Sequence, residues 1–370
     1  MLHTNDIHID WLALDRLPEL QAFIDEHWRR NHVLAHDADL LRWQHARPGN
    51  EERLSVVAAE REGKLLAIAG IVAFDACVDG ARYRGGWITN WVVVPELQGA
   101  GLGRALVAHA QRELDLAGAL AENEAAAHVL GRLGFAELRM ARWVRVFSEA
   151  ALEQLLADSP VPYPPAAWAA WRAQEASGVV PEGTGVRPWT DGERWDAVWR
   201  ERLTPHLVGG SRDAAHIRRR FLEHPRFHYD LLTVETPGGE PGGFAAYRIE
   251  AVRGADALIM RIVDLIGVEA EHVTALLAGL VNVARSEGVV FADFACTSPR
   301  VGGPLAAAGF ANEDTLPAAL PGRFQPLDFT DRPLVCSFWA SPRIAPDSRD
   351  FFRARDLYVT RSDSDLDRPN

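Results

Sequence analysis

The sequence predicts an α/β protein with mixed sheets, built as two tandem units of similar element order. Three observations carry that expectation. Strand-like β-branched runs alternate with stretches of helical period; a glycine-rich turn joins the run ending at Val94 to a helix opening at Leu102; and the same order returns after a proline-rich segment. At 370 residues the chain is long enough for two sizeable cores.

In the first half, Ile7 to Ala13 suits a strand, Pro18 to Trp28 a helix, and His36 to His45 a second helix whose Trp43 lines a pocket or fills the core. Leu54 to Ala59 and Leu65 to Cys77 read as paired strands around the turn Arg61-Glu-Gly-Lys64, and Tyr83 to Val94 continues the sheet. Leu102 to Leu116 has helical period, and only Gly118 to Ala121 is left for the next strand. Asn123 then suits an N-cap and Gly134 a C-cap, with Phe135 opening a strand and closing strands running to Phe147. Residues 149 to 184 form a linker with anchors of its own: a short helix from Glu149 to Ala157, the stiff run Ser159-Pro-Val-Pro-Tyr-Pro-Pro165, and a second short helix from Ala166 to Ala176.

The second half repeats the plan. A strand begins at Gly185; Asp191 to Leu203 and Asp213 to His224 are helical; Tyr229 to Glu235, Phe244 to Val252 and Leu258 to Val268 are strands. Ala270 to Ser286 is a long helix, Val289 to Cys296 a strand, and Pro304 to Phe310 ends in Ala-Gly-Phe, an echo of Leu133-Gly-Phe135. The domain boundaries predicted on this basis are 1–148, a linker at 149–184, a second domain at 185–340 and a tail at 341–370.

The turn Gln98-Gly-Ala-Gly-Leu-Gly-Arg104 carries chemistry. Glycines at a helix N-terminus leave backbone N–H groups uncovered and permit positive φ, so successive amides can converge on a phosphate. A Walker loop would end in Gly-Lys-Ser/Thr, whereas Gly103 is followed by Arg104 and Ala105. A dinucleotide fingerprint needs Gly-x-Gly-x-x-Gly, but Gly99, Gly101 and Gly103 fall on alternate positions. The pattern Gln98-x-x-Gly101-x-Gly103 resembles the acyl-CoA loop of the GNAT acyltransferase superfamily, and the run from Asn123 to Leu133-Gly134-Phe135 resembles that superfamily's closing motif. A plain strand-to-helix turn and a plain capped helix are the competing readings of each motif alone; their order makes coincidence of the pair improbable.

The resemblance implies two tandem GNAT-like domains and acetyl-CoA as co-substrate. It assigns Val92, Val93 and Val94 to a splayed strand that pairs with the pantetheine amides, and Gln98, Gly99, Ala100, Gly101, Gly103, Arg104 and Asn123 to the remainder of the CoA site. Two departures stand out: Leu130 occupies the position where family members often carry a proton-donating tyrosine, and the strand before Asn123 is short. At the second half's counterpart of the loop, Gly267-Val-Glu-Ala-Glu-His272 offers one glycine and two carboxylates that would repel a pyrophosphate. That half therefore reads as a degenerate copy that shapes the substrate pocket or buttresses the fold.

No catalytic residue is assigned. Thr89 and Asn90 can hold water or a substrate hydroxyl, or serve as ladder residues; His128 lies beside the missing tyrosine or simply on the surface. Asp264 interrupts an apolar strand, so it either contacts substrate or pairs with Arg248 or Arg261. Arg361 to Asn370 lacks the central glycine and final glutamate of a calcium loop. It is a frayed terminus, or the run Phe351 to Tyr358 docks and carries its acids back to the domain interface; some tandem acetyltransferases place their terminal carboxylate near the substrate.

A net charge of −12 argues against nucleic-acid and anionic-membrane partners. Cys77, Cys296 and Cys336 sit in apolar stretches without a Cys-x-x-Cys pair, as core thiols of a cytoplasmic protein do. No secretory signal, bilayer-length apolar run or metal site is read, and the oligomeric state is open. The function expected is acetyl transfer to a small-molecule amine, an amino sugar or nucleotide-linked amino sugar among the candidates, with an amino acid, an aminoglycoside or a thiol-cofactor precursor as competitors. A catalytically silent acyl-CoA-binding or partner-binding protein is the rival class.

Overall fold

The structure, a computed structural model, describes residues 6–47, 49–120, 123–157, 164, 166–168, 185–190, 192–324, 327–328 and 334–365. The N-terminal half forms β1 (His8–Ala13), α1 (Leu17–His27), α2 (Val33–His36), α3 (Ala38–Gln44), β2 (Arg53–Arg61), β3 (Lys64–Val78), β4 (Ala81–Val93), α4 (Leu102–Ala110), β5 (Leu116–Leu120), α5 (Glu124–Arg132), β6 (Ala136–Arg139), β7 (Ala141–Val146) and α6 (Glu149–Leu156). Later strands are β8 (Val186–Pro188), β9 (Val208–Gly210), β10 (Asp230–Glu235), β11 (Pro241–Ala251), β12 (Leu258–Gly267), β13 (Phe291–Cys296), β14 (Ala311–Asn312), β15 (Arg323–Phe324), β16 (Leu327–Asp328), β17 (Val335–Ala340) and β18 (Leu357–Tyr358).

Local chemistry explains two departures from the expected elements. The helix expected over His36 to His45 is two, because Asp37 leaves helical geometry at φ −114°, ψ 93° and its carboxylate caps α3 through Leu40 N–H at 2.9 Å. The helix expected to reach Leu116 stops at Ala110, because Asp115 is pulled toward β4 by a backbone bond to Arg84 O and a side-chain bond from Arg84 N–H. The next strand therefore starts two residues earlier than expected, at Leu116. The helix expected from Ala166 to Ala176 lies outside the described residues except for its first turn, 166–168, which is helical.

The first sheet runs β1-β2-β3-β4-β5-β17-β6, with β9 added at the far end of β3 and β18 beside it; the second runs β14-β7-β13-β12-β11-β10-β8. The sheets thus do not divide at residue 148. β7 leaves the first half to pair with β13 from Phe291↔Val146 to Cys296↔Ala141, and β17 from the second half takes the place between β5 and β6. The first half lends β7, the second lends β17 and β9, and β18, from the run Phe351 to Tyr358 for which docking was the alternative to fraying, lies beside β9. Pairing is a long-range choice: neither Ala-Arg-Trp-Val-Arg-Val nor Val-Cys-Ser-Phe-Trp-Ala carries a local pattern that names its neighbouring strand.

Leu102, Leu106, Val107 and Ala110 turn one face of α4 onto β2 and β3, while Leu20, Phe23, Ile24, Leu40 and Leu41 bring α1 and α3 into the same core. In the second half the helix Ala270–Ser286 packs Val273, Leu276, Leu277, Leu280 and Val281 on β10 to β12. Cys77, Cys296 and Cys336 are buried and unbridged, and burial raises the thiol pKa of Cys77 and Cys296, which makes both poor nucleophiles.

Candidate functional site

β4 changes character near its end. It runs antiparallel to β3, but between the pairs Ile68↔Val92 and Gly70↔Thr89 it carries two residues, Asn90 and Trp91, opposite Ala69 alone. Asn90 absorbs this bulge at φ 47°, a conformation that asparagine tolerates better than most residues. On its other edge β4 pairs in parallel with β5 only as far as Ile88↔Ala119, so Thr89 to Val93 part from β5 and leave an open edge.

Polar atoms collect at the opening. Thr89 and Asn90 are buried, and Thr89 Oγ1, both amide atoms of Asn90 and Trp91 Nε1 have no hydrogen-bond partner among the described residues. Unpaired buried groups of this kind cost about 1–3 kcal/mol each, so four of them in three successive residues make this opening the candidate site.

The turn after β4 supplies the complement. Gln98 Nε2 donates to Val93 O at 3.2 Å and so pins the loop to the end of the strand. Gly101 caps α4 at φ 88°, with no side-chain cap, and the first intrahelical bond there is Ala105 N–H to Gly101 O at 3.0 Å. The amides of Leu102, Gly103 and Arg104 therefore have no acceptor within the helix, and they project from its positive end. Gly99, Ala100, Gly101 and Arg104 are exposed around them. Gly103 is required for a separate reason: a Cβ there would stand 3.1 Å from Trp91 Nε1, so the indole packs directly beneath the first turn. Val92 and Val94 point into the core, as their β-branched character suggests, so at these two positions only backbone is left to serve a ligand.

The closing motif adopts its expected form. Asn123 Oδ1 accepts from Ala126 N–H at 2.9 Å, Gly134 takes φ 86°, and Phe135 N–H returns to Leu130 O at 3.1 Å. Leu130 is fully buried and His128 is exposed, so neither presents a proton donor in the core of the motif.

The structure does not bring Asp264 into this group. It is fully buried, with Oδ2 receiving Arg212 Nε at 3.1 Å and Ser362 Oγ at 2.9 Å, and Oδ1 receiving the Tyr358 hydroxyl at 2.8 Å. Of the two sequence readings pairing holds, but with Arg212 rather than Arg248 or Arg261; those face Glu250 and Asp293 instead.

The second half has the same splay with a different occupant. β12 and β13 are parallel through Ile262↔Phe294 and part beyond it. Into that gap runs the chain's own tail: Thr297 N–H donates to Val359 O at 3.0 Å, Thr360 bridges Cys296, and Ser362 N–H donates to Val263 O at 3.1 Å. The helix that follows β12 is self-capped, since the Glu269 side chain takes the His272 N–H and Glu269 N–H donates to His272 Nδ1 at 3.2 Å. Glu269 thus opposes an anion by occupying the His272 amide as well as by its charge. The tail residues 366–370 lie outside the described residues, as do Ala121 and Glu122.

What sequence reasoning missed is His45. It is buried where α3 ends, and its ring and the Thr89 hydroxyl both lie over Gly70 in β3. Among the described residues no group of three or more His, Cys, Asp or Glu is arranged to hold a metal, and no helix is long and apolar enough to cross a membrane.

Residues 20–135 match the model of the acetyltransferase (GNAT) family. Among solved structures, a protein of Enterococcus faecalis V583 named a probable N-acyltransferase is similar at TM-score 0.55 and 14% identity, over 90% of this chain and 72% of that one. A GCN5-related N-acetyltransferase from Anabaena variabilis ATCC 29413 follows at 0.54 and 12%, with coverage of 90% and 72%. N-myristoyltransferase of Saccharomyces cerevisiae, solved with bound myristoyl-CoA, gives 0.54 and 11%, with coverage of 90% and 79%. These likenesses extend the shared fold across both halves. No curated protein matches the chain.

Proposed function

We infer that this member of the GNAT superfamily, with its acetyltransferase domain at residues 20–135, transfers an acyl group from acyl-CoA to an amine. The observation that carries this reading is the uncapped N-terminus of α4 beside the bulged, open end of β4: anion-binding amides and unpaired strand polarity sit next to each other. Acyl-CoA, when bound, supplies an activated thioester. The α4 amides and Arg104 hold its phosphates, the free edge of Thr89 to Val93 pairs with its pantetheine, and the unpaired Trp91 Nε1 lies where a further polar contact is needed.

Acetyl is our reading of the acyl group and a small-molecule amine our reading of the acceptor, amino sugars among them. The boundaries at 148 and 185 are retained as sequence units, each completed by a strand from the other, and the protein is read as cytoplasmic. Leu130 leaves the departing thiolate to solvent, which is tolerable because a free thiol has a pKa near about 8.5.

The test is Gly101→Glu. At φ 88° the new residue is strained by about 1–2 kcal/mol, and its carboxylate stands among the phosphate-binding amides. CoA affinity by calorimetry should fall by more than about 100-fold, roughly 2.7 kcal/mol, in a folded variant. Unchanged affinity would remove the cofactor assignment. Thiol release across amines and acyl chain lengths then separates an enzyme from the rival reading of a silent acyl-CoA binder.

A further inference from the structure

We propose that His45 takes the proton from the acceptor ammonium; this rests on the acyltransferase reading above. The residue is 1% exposed and anchored through its backbone, N–H to Leu41 O at 3.0 Å and O from Ser55 N–H at 2.8 Å. Its ring faces β3 where that strand has no side chain. A Cβ built on Gly70 would stand 2.6 Å from His45 Cε1 and 3.0 Å from Thr89 Oγ1, so glycine leaves room for the imidazole and the hydroxyl on the same side of β3. Thr89 lies opposite Gly70 and immediately before the bulge at Asn90.

Thr89 therefore faces the end of α3 while Trp91 faces α4, and the two sides of the opening are served by different groups. Trp91 and the glycine turn belong to the cofactor. His45, Thr89 Oγ1 and the Asn90 amide are what an acceptor entering from the other side would meet. Gln44 Nε2 lies 3.3 Å from His45 Nε2 and 3.5 Å from Asp365 Oδ2, which ties the imidazole to a tail carboxylate through a neutral amide. Charged or titratable groups on the flanking positions are Arg219, whose guanidinium donates to Trp43 O at 2.8 Å; His224, edge-on to Trp43; and Arg47, paired with Glu113.

The proton balance closes on these groups. The ammonium gives one proton to neutral His45, and the nitrogen lone pair so freed forms the bond to the acyl carbon as the carbon–sulfur bond breaks. The second proton shed by the nitrogen ends on the departing sulfur, and His45 returns the first to solvent. Thr89 and Asn90 orient the amine by accepting from its remaining N–H.

The experiment compares wild type, His45→Gln and Gly70→Ala for kcat and KM across about pH 6 to 9 with the best acceptor from an amine panel, with CoA affinity measured by calorimetry on each. The His45 Cε1–H resonance is also followed on titrating that amine without acyl-CoA. His45→Gln should lower kcat about 100-fold or more with CoA affinity intact and should lose the acidic limb of the profile; Gly70→Ala, which drives a methyl into the ring, should lower kcat without weakening CoA; and the amine should shift the resonance. An active wild type with an unaltered profile in His45→Gln overturns this proposal alone. Should that variant lose CoA binding through misfolding, a normal kcat in Gly70→Ala overturns it instead. A wild type that binds acyl-CoA yet releases no thiol with any amine overturns the acyltransferase reading and this proposal together.

Discussion

Asp264 shows how a suggestive residue can be wholly structural. It stands in an apolar strand, and the structure uses it to neutralise a fully buried guanidinium, that of Arg212, together with Asp363. Asp264→Ala should therefore destabilise the protein by about 3–5 kcal/mol in denaturant titrations, because a buried charge loses a partner, while CoA affinity in the folded variant is unchanged. Asp293 gives a pH signature of the same kind. Burial alone would raise its pKa, but the guanidinium groups of Arg261, Arg361 and Arg142 outweigh that and hold it down at about 2. A carboxylate depressed in the fold contributes stability above its unfolded value and loses it as pH falls through the folded one. Melting temperature should accordingly drop between about pH 4 and pH 2, and the drop should be smaller in Asp293→Asn, itself less stable at neutral pH. The same crowd works against Arg361, whose pKa burial and Arg261 lower to about 9.

At the scale of elements the two helices that follow the splayed strands make opposite use of their N-termini. α4 leaves its amides to solvent, whereas Ala270–Ser286 closes its own with Glu269 and His272, and the neighbouring gap is filled by Val359 to Ser362. CoA should therefore titrate with one site per chain, and two equivalent sites by calorimetry would contradict it. Much of this was legible from sequence. Alternate glycines between a valine run and an apolar helix describe the α4 turn, and Asn123 with Gly134 bracket α5, because each signal acts within a few residues. The Glu269 carboxylate was legible as hostile to phosphate, but its role as a cap was not. The bulge at Asn90 was hidden, since nothing in Thr-Asn-Trp-Val tells a bulged from a regular strand. His45 was unreadable in principle: its meaning comes from Gly70 and Thr89, which are adjacent to it only across the packing of α3 on the sheet.

For the molecule as a whole, the exchange of β7 and β17 means that the halves are not separable pieces. A fragment ending at residue 148 lacks the strand between β5 and β6 and carries β7 with nothing to pair, so it should be aggregation-prone and show non-cooperative melting. By contrast, the full chain cut at a protease site inserted within 169–184 should elute as one species, since two exchanged strands and the tail hold the parts. Elution as two free halves would show that these contacts are weak. The sequence plan of two successive units was sound for the order of elements, and it failed for partnership because a strand's face pattern does not name its neighbour. The exchange also fixes when the first sheet can be completed. β5 leaves the ribosome roughly 200 residues before β17, which at about 5–20 residues per second is about 10–40 s of synthesis during which its outer edge is bare. The half that is translated first is thus completed only after β17 of the second has been made, and until then the opening beside β4 has no finished sheet behind it.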